Sequence, residues 1–254
     1  MAFDEFTLWC QDLERRLDPA AQMAHFLDGP PDPWQVEAVT SRAQTMALRV
    51  CRQAGKSEVL SALGVQELQA GGTTIALCPA ERQVRELVRK VAAHLRKTDL
   101  IVERATQSEI ECNSGGRFIA VPASGATIRG YSATQILVDE CAYIPNDEET
   151  IVALLPMLGD GPNCRIVYAS TPAGKNNFFA RLFLNARPGD GIHRIVVSGE
   201  SIPRLATRVA RLKQQLSPTR YRQEVCVEML SDGLGYFDLD LIGRATSDVK
   251  ALLL

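Results

Sequence analysis

Thirteen consecutive residues, Thr45 to Ser57, constrain the fold more than any other part of the chain. An apolar run (TMALRVC) gives way to Arg52-Gln-Ala-Gly-Lys-Ser57, and a helical pattern opens at Lys56-Ser57. A strand, a tight loop and a helix start in that order aim backbone N–H groups and a helix N-terminus one way, a geometry that suits an anion. In loops of the form G-x-x-x-x-G-K-[ST], the Lys reaches the terminal phosphates and the hydroxyl goes to Mg²⁺. Gly55, Lys56 and Ser57 supply that end, while Val50 stands where the pattern has its first Gly.

The same order recurs downstream. Thr74 to Cys78 is a second apolar run, ended by Pro79; Val84, Leu87, Val88, Val91 and Leu95 then mark one helical face. Residues 108–121 predict a hairpin turning at Asn113-Ser-Gly-Gly. Ile136 to Val138, Arg165 to Ala169 and His193 to Val197 read as further strands, the last being the final one. Before the loop, the spacing of Phe6, Trp9, Cys10, Leu13 and Leu17 predicts an amphipathic helix over 4–17. Asp28 to Pro33 breaks that helix, and a short one starts near Trp34. Strands alternating with helices argue for an α/β chain with a mostly parallel sheet covered on both faces. Ligands then bind beyond the carboxyl ends of the strands. Leu205, Val209, Leu212 and Leu216 share a helical face, and Ser217-Pro218 suits a cap and first position for another helix through Met229. The expected organisation is a core over 1–200, a small helical lid over 201–235 and the start of a linker over 236–254.

Composition narrows the partners. The formal charge is −2, so the chain lacks the bulk positive charge of a strong non-specific nucleic-acid binder. Any such contact has to come from local basic patches. Seven cysteines form no C-x-x-C pair and no metal-ligand spacing with the three histidines, which reads as reduced thiols in a cytoplasm. The N-terminus has neither signal-peptide nor membrane-anchor character, and no apolar run is long enough to span a bilayer.

Ile136-Leu-Val-Asp-Glu140 places two carboxylates at a strand end. Phosphoryl transfer needs an acid beside Mg²⁺ and a residue that orients or deprotonates the attacking water. Asp139 suits the metal and Glu140 the general base. Gln35, in Pro33-Trp-Gln35, is placed to read an adenine edge through its amide, or to cap its own helix. Ser170-Thr171-Pro172, at the end of the next strand, offers hydroxyls to sense a γ-phosphate, or a plain strand-end turn.

Together Gln35, RQAGKS, ILVDE and ASTP resemble the adenine-binding, Walker A, Walker B and coupling motifs of phage and herpesvirus-type terminase large subunits, over roughly residues 30–235. The Arg-Gln-x-Gly-Lys-[Ser/Thr] loop lacks the usual first Gly in that family too. The resemblance implies an ASCE-type P-loop core that hydrolyses ATP with Mg²⁺ and drives double-stranded DNA into a procapsid. It implies sister subunits in a ring, a viral portal and a small terminase subunit as partners, in the cytoplasm of an infected host and with no membrane. Family members add a nuclease domain, so the sequence is expected to be an isolated ATPase fragment. The nucleotide-binding set is Gln35, Arg52, Gln53, Ala54, Gly55, Lys56 and Ser57.

Positive charge on the transferring phosphoryl group comes from an arginine finger. Arg52 in the loop is the candidate in cis. Arg129, in Ala126-Thr-Ile-Arg-Gly130, is the candidate in trans. For DNA, the helix after Pro79 carries Arg82, Arg85, Arg89, Lys90, Arg96 and Lys97, and Arg117 follows the hairpin turn. Arg204, Arg208, Arg211 and Lys213 form a weaker basic face. A solvated helix face paired to Glu81 and Glu86 is the plain alternative. Two other functions compete: a superfamily 2 helicase, which needs a second motor domain, and a non-hydrolysing DNA-binding or assembly module.

Overall fold

The computed structural model describes residues 13, 14, 17–123 and 130–231. The helix expected over 4–17 and the linker over 236–254 lie almost wholly outside them. Eight strands are β1 (Thr45–Val50), β2 (Thr73–Cys78), β3 (Val102–Ala105), β4 (Glu109–Cys112), β5 (Arg117–Pro122), β6 (Gln135–Asp139), β7 (Arg165–Ser170) and β8 (Ile192–Val197). They form one sheet in the order β3-β4-β5-β2-β6-β7-β1-β8. From β5 to β8 every neighbouring pair is parallel; β3 and β4 extend one edge antiparallel.

Around the sheet lie α1 (Pro19–Leu27), α2 (Pro33–Thr40), α3 (Lys56–Gln69), α4 (Glu81–Leu95), α5 (Asp147–Leu154), α6 (Phe178–Leu184), α7 (Ala206–Gln215) and α8 (Pro218–Glu224). Side chains alternate across the strands, as the pleat requires. On β2, Ala76 and Cys78 join Leu60, Leu63, Leu87 and Val91 of α3 and α4. Ile75 and Leu77 join Ile151 and Leu154 of α5 and Phe179 of α6 on the other face. Both faces are covered, which is why the parallel strands read as nearly continuous apolar runs.

Two findings differ from the sequence reading. The helix expected to run through Met229 stops at Glu224. Val225 and Cys226 both donate to the Tyr221 carbonyl, and Val227 turns into the left-handed region at φ 52°. The β-branched side chains of Val225 and Val227 lower the propensity for further helix there. Strand β3 was not anticipated, because all four of its residues are exposed and show no alternation.

Helix α3, which starts at the phosphate-type loop, is fastened to α4 by charge as well as packing. Glu58 pairs with Lys90, and with His94 Nε2 at 3.0 Å. His94 Nδ1 meets Ser61 Oγ at 3.0 Å and its ring stacks on Phe26 at 4.4 Å. Gly64 on α3 is where the helix meets the sheet most closely: a Cβ there would lie 2.7 and 2.9 Å from ring atoms of fully buried Phe118.

This face carries two stability predictions. Gly64→Ala gains helix propensity of about 1 kcal/mol, but displacing a buried ring costs about 1–3 kcal/mol, so the variant is expected to melt lower by circular dichroism. A higher melting temperature would refute the Phe118 contact. The hydrogen bond from His94, opposed by burial and aided by Lys90, lowers the Glu58 carboxyl to about 2. Its contribution is therefore fully present above the ordinary carboxylate range and is lost as pH falls through about 4 toward about 2. Urea titrations across that range should show a smaller acid loss for Glu58→Gln than for wild type.

Candidate nucleotide site

Hydrogen-bond register brings three strand ends to one height. Strand β7 lies between β1 and β6, pairing Ser170 with Arg49 and Ala169 with Asp139. Beyond that line the chain leaves β1 into the loop 51–55, β6 into Glu140 and β7 into Thr171-Pro172.

The loop depends on left-handed backbone. Gln53 has φ 62°, and Gly55, the N-cap of α3, has φ 98°. A Cβ at residue 55 would also sit 2.6 Å from Gln35 Nε2, so glycine is required twice over. Val50 ends β1 with its side chain in the core. Its carbonyl accepts from buried Lys56 Nζ at 3.3 Å, and Glu140 Oε1 lies 3.5 Å from the same ammonium. The charge is thus held by one carbonyl and one carboxylate, a pairing that offsets its desolvation.

Glu140 is itself left-handed, at φ 46°. Its Oε2 accepts from Ser170 Oγ at 3.3 Å and from the Thr171 N–H at 3.4 Å. Asp139 accepts from the Glu140 N–H at 3.0 Å. Burial, reinforced by the neighbouring Glu140 and offset by Lys56, pushes the Asp139 carboxyl up to about 6. Two adjacent carboxylates facing one ammonium leave unbalanced negative charge, which fits a hard divalent cation. Among the described residues no cluster of three or more His, Cys, Asp and Glu side chains suits a metal. A cation here would therefore take few protein ligands, with Ser57 and Asp139 the donors on offer, as Mg²⁺ does at phosphate sites.

Lys56 and Glu140 line a cavity of about 830 Å³ together with Gln35, Gln53, Gly55 and Ser57. Gln35 is only 2% exposed. Its Oε1 accepts from the Asp32 N–H at 2.8 Å, so the carbonyl end caps α2 and the amide end faces Gly55.

Arg52 points to the helical segment. Its Nε lies 2.6 Å from Glu224 on α8, and its guanidinium is 5.8 Å above the Tyr143 ring. The Tyr143 hydroxyl lies 3.4 Å from both Thr171 Oγ1 and the Pro172 carbonyl, and Gln223 donates to that carbonyl at 2.9 Å. Helix α8 therefore touches both the loop and the segment after β7. The stripe Leu205, Val209, Leu212 and Leu216 lines an apolar hollow of about 410 Å³ beside Cys51 and Val225. Arg129 lies outside the described residues.

The basic residues of α4 and of the turn after it divide. Arg82, Arg85, Arg89 and Arg96 are exposed, Arg89 pairing with Glu86 at 2.5 Å. Lys90 turns to Glu58 and lines the cavity. Lys97 binds the His25 and Phe26 carbonyls and Asp28. Arg117 sits between Glu109 at 2.5 Å and Glu111 at 3.0 Å. Arg204 and Arg208, read from sequence as part of a basic face, line the cavity. Sequence reasoning missed Asp32, Glu58, Tyr143, Gln223 and Glu224, whose partners lie far along the chain and leave no local spacing signal.

Comparison with known proteins agrees with this fold. The isolated ATPase domain of the Thermus phage P74-26 large terminase superposes with a TM-score of 0.72 at 19% identity, covering 84% of this chain and all of that one. A large terminase from another thermophilic bacteriophage, in complex with ADP, gives 0.67 at 14% identity, over 79% of this chain and 54% of that one. The HK97 bacteriophage large terminase gives 0.66 at 14% identity, over 83% and 54%. The chain thus spans about half the length of those last two large terminases, and at such identities the likeness is one of fold. Sequence carries the assignment further: residues 50–244 match the family model for the terminase large subunit, T4likevirus-type, N-terminal region. The chain belongs to this terminase large-subunit family.

Proposed function

We propose that this chain is the ATPase of a DNA-packaging motor, hydrolysing ATP to move double-stranded DNA into a procapsid. The observation that carries the reading is the Lys56–Glu140 pair at 3.5 Å on the wall of the large cavity, with Gly55 and Ser57 beside it. The family match and the ADP bound by one structural relative support it. Lys56 and the N–H groups at the start of α3 bind the β- and γ-phosphates. Gln35 lies on the adenine side, and its amide Nε2 is the group available to a base. Ser57 and Asp139 would hold Mg²⁺, which would neutralise phosphate charge when bound.

Glu140 accepts a proton from water as the water oxygen bonds the γ-phosphorus. The bond to the β–γ bridging oxygen breaks, giving ADP and phosphate. Glu140 is kept in place by Ser170 and Thr171, so loss of the γ-phosphate is felt where β7 ends. Arg52 in cis or Arg129 in trans supplies the finger. Helices α7 and α8, within the span 201–235, act as a lid. Exposed Arg82, Arg85, Arg89 and Arg96 contact DNA phosphates without reading sequence. Sister subunits in a ring, a portal and a small terminase subunit complete the machine at the procapsid in the host cytoplasm.

Two measurements test this. Glu140→Gln should keep nucleotide affinity and lose about 10²–10⁴-fold in steady-state turnover. Binding without turnover in the wild type would instead favour a non-hydrolysing module. Replacing Arg82, Arg85 and Arg96 together with Ala should weaken duplex binding by anisotropy and reduce the slope of log affinity against log salt by about 2.7, at roughly 0.9 per phosphate contact. An unchanged slope would remove this face from the DNA path.

A further inference from the structure

One guanidinium ties together three elements that meet at the nucleotide cavity. Arg204, on the short turn Pro203–Leu205 that leads into α7, donates to both carboxylate oxygens of Asp32, from Nε to Oδ1 at 3.3 Å and from Nη2 to Oδ2 at 2.6 Å. The same group donates to the Ala54 carbonyl in the loop at 2.6 Å. Asp32 is the N-cap of α2, the helix that carries Gln35. Ala54 directly precedes the glycine on which Gln35 rests. These contacts span 172 and 150 residues of sequence, so no local interaction could substitute for them.

We infer that Arg204 is a positioning residue for nucleotide binding, one that sets the loop and the Gln35 helix from the helical segment; this rests on the reading of the cavity as an ATP site. Stabilising the fold is a poor account of it. The side chain is 47% exposed, and an exposed ion pair adds little to stability. Its geometry is directional instead. A peptide unit is planar and trans, so a tether on the Ala54 carbonyl fixes the direction of the Gly55 N–H. That N–H belongs to the set that a phosphate loop presents to its anion. The carboxylate fork at the same time holds the start of α2 and with it the amide of Gln35. A lysine keeps the charge but cannot serve two carboxylate oxygens and a carbonyl in one plane.

The test is a fluorescence titration of mant-ADP with Mg²⁺ on wild type, Arg204→Lys, Asp32→Asn and the double variant, with melting curves alongside. Asn is as good an N-cap as Asp, so Asp32→Asn removes the fork and spares the cap. Each single change should weaken mant-ADP by about tenfold, as loss of a charge-assisted pair implies. The double variant should be no weaker than either single one. In ATP turnover, KM should rise while kcat stays within about twofold, with melting close to wild type. Wild-type affinity in both single variants, or additive losses in the double, overturns the role of Arg204 and leaves the ATP site standing. Failure of wild type itself to bind mant-ADP overturns the site reading, and this inference with it.

Discussion

Parallel hydrogen bonding between β1, β7 and β6 sets the positions of the other parts of the site. In a parallel pair, register is not adjustable by a turn, and a slip of one residue would send every core side chain to the wrong face. Once Asp139 is level with Ala169 and Ser170 with Arg49, the loop, the acid pair and the Ser-Thr segment emerge together. The apolar demand for two covered faces thus fixes a polar geometry. Packing of Met46, Leu48, Val167 and Leu137 on one side, with Ile136, Val138 and Tyr168 on the other, sets where the charges stand.

Charge within the cavity is arranged around incomplete neutralisation. Lys56 meets Glu140, Arg52 meets Glu224, Lys90 meets Glu58 and Arg204 meets Asp32. Each of these four is held by a carboxylate from a different element, so under the proposed function an entering triphosphate competes with protein anions for all four. Asp139 is the exception: it stands beside another acid. This pattern makes binding an exchange of partners, and elements that lose a partner are free to shift.

Much of this was legible in the sequence where the signal is local. The strands β1, β2, β6, β7 and β8 show as apolar runs, and the start of α3 at Lys56 follows from the Gly-Lys-Ser order. The hairpin of β4 and β5 follows from Asn113-Ser-Gly-Gly. What failed to show had no periodic trace. Strand β3 is exposed throughout, and α5 and α6 are short, with two buried residues each. The basic residues of α4 and of the turn after it looked alike as a row of charges, yet three-dimensional neighbours separate them: Lys90 and Lys97 find partners on α3 and α1, while Arg82, Arg85 and Arg96 face solvent. Arg204 reads as a surface charge until Asp32 is brought to it.

The two left-handed residues at the site have a bearing on how such a chain changes under selection. Gln53 and Glu140 each hold a backbone conformation that non-glycine residues adopt at a cost. Glycine at either position would relax the backbone, yet the proposed mechanism needs the carboxylate at position 140, and position 53 faces the cavity. Variants chosen only for resistance to heat would therefore tend to drift toward glycine or asparagine there, gaining robustness while erasing the site. Laboratory evolution of a hardier version should hold these two positions fixed and seek its gains elsewhere, on the faces that carry no chemistry.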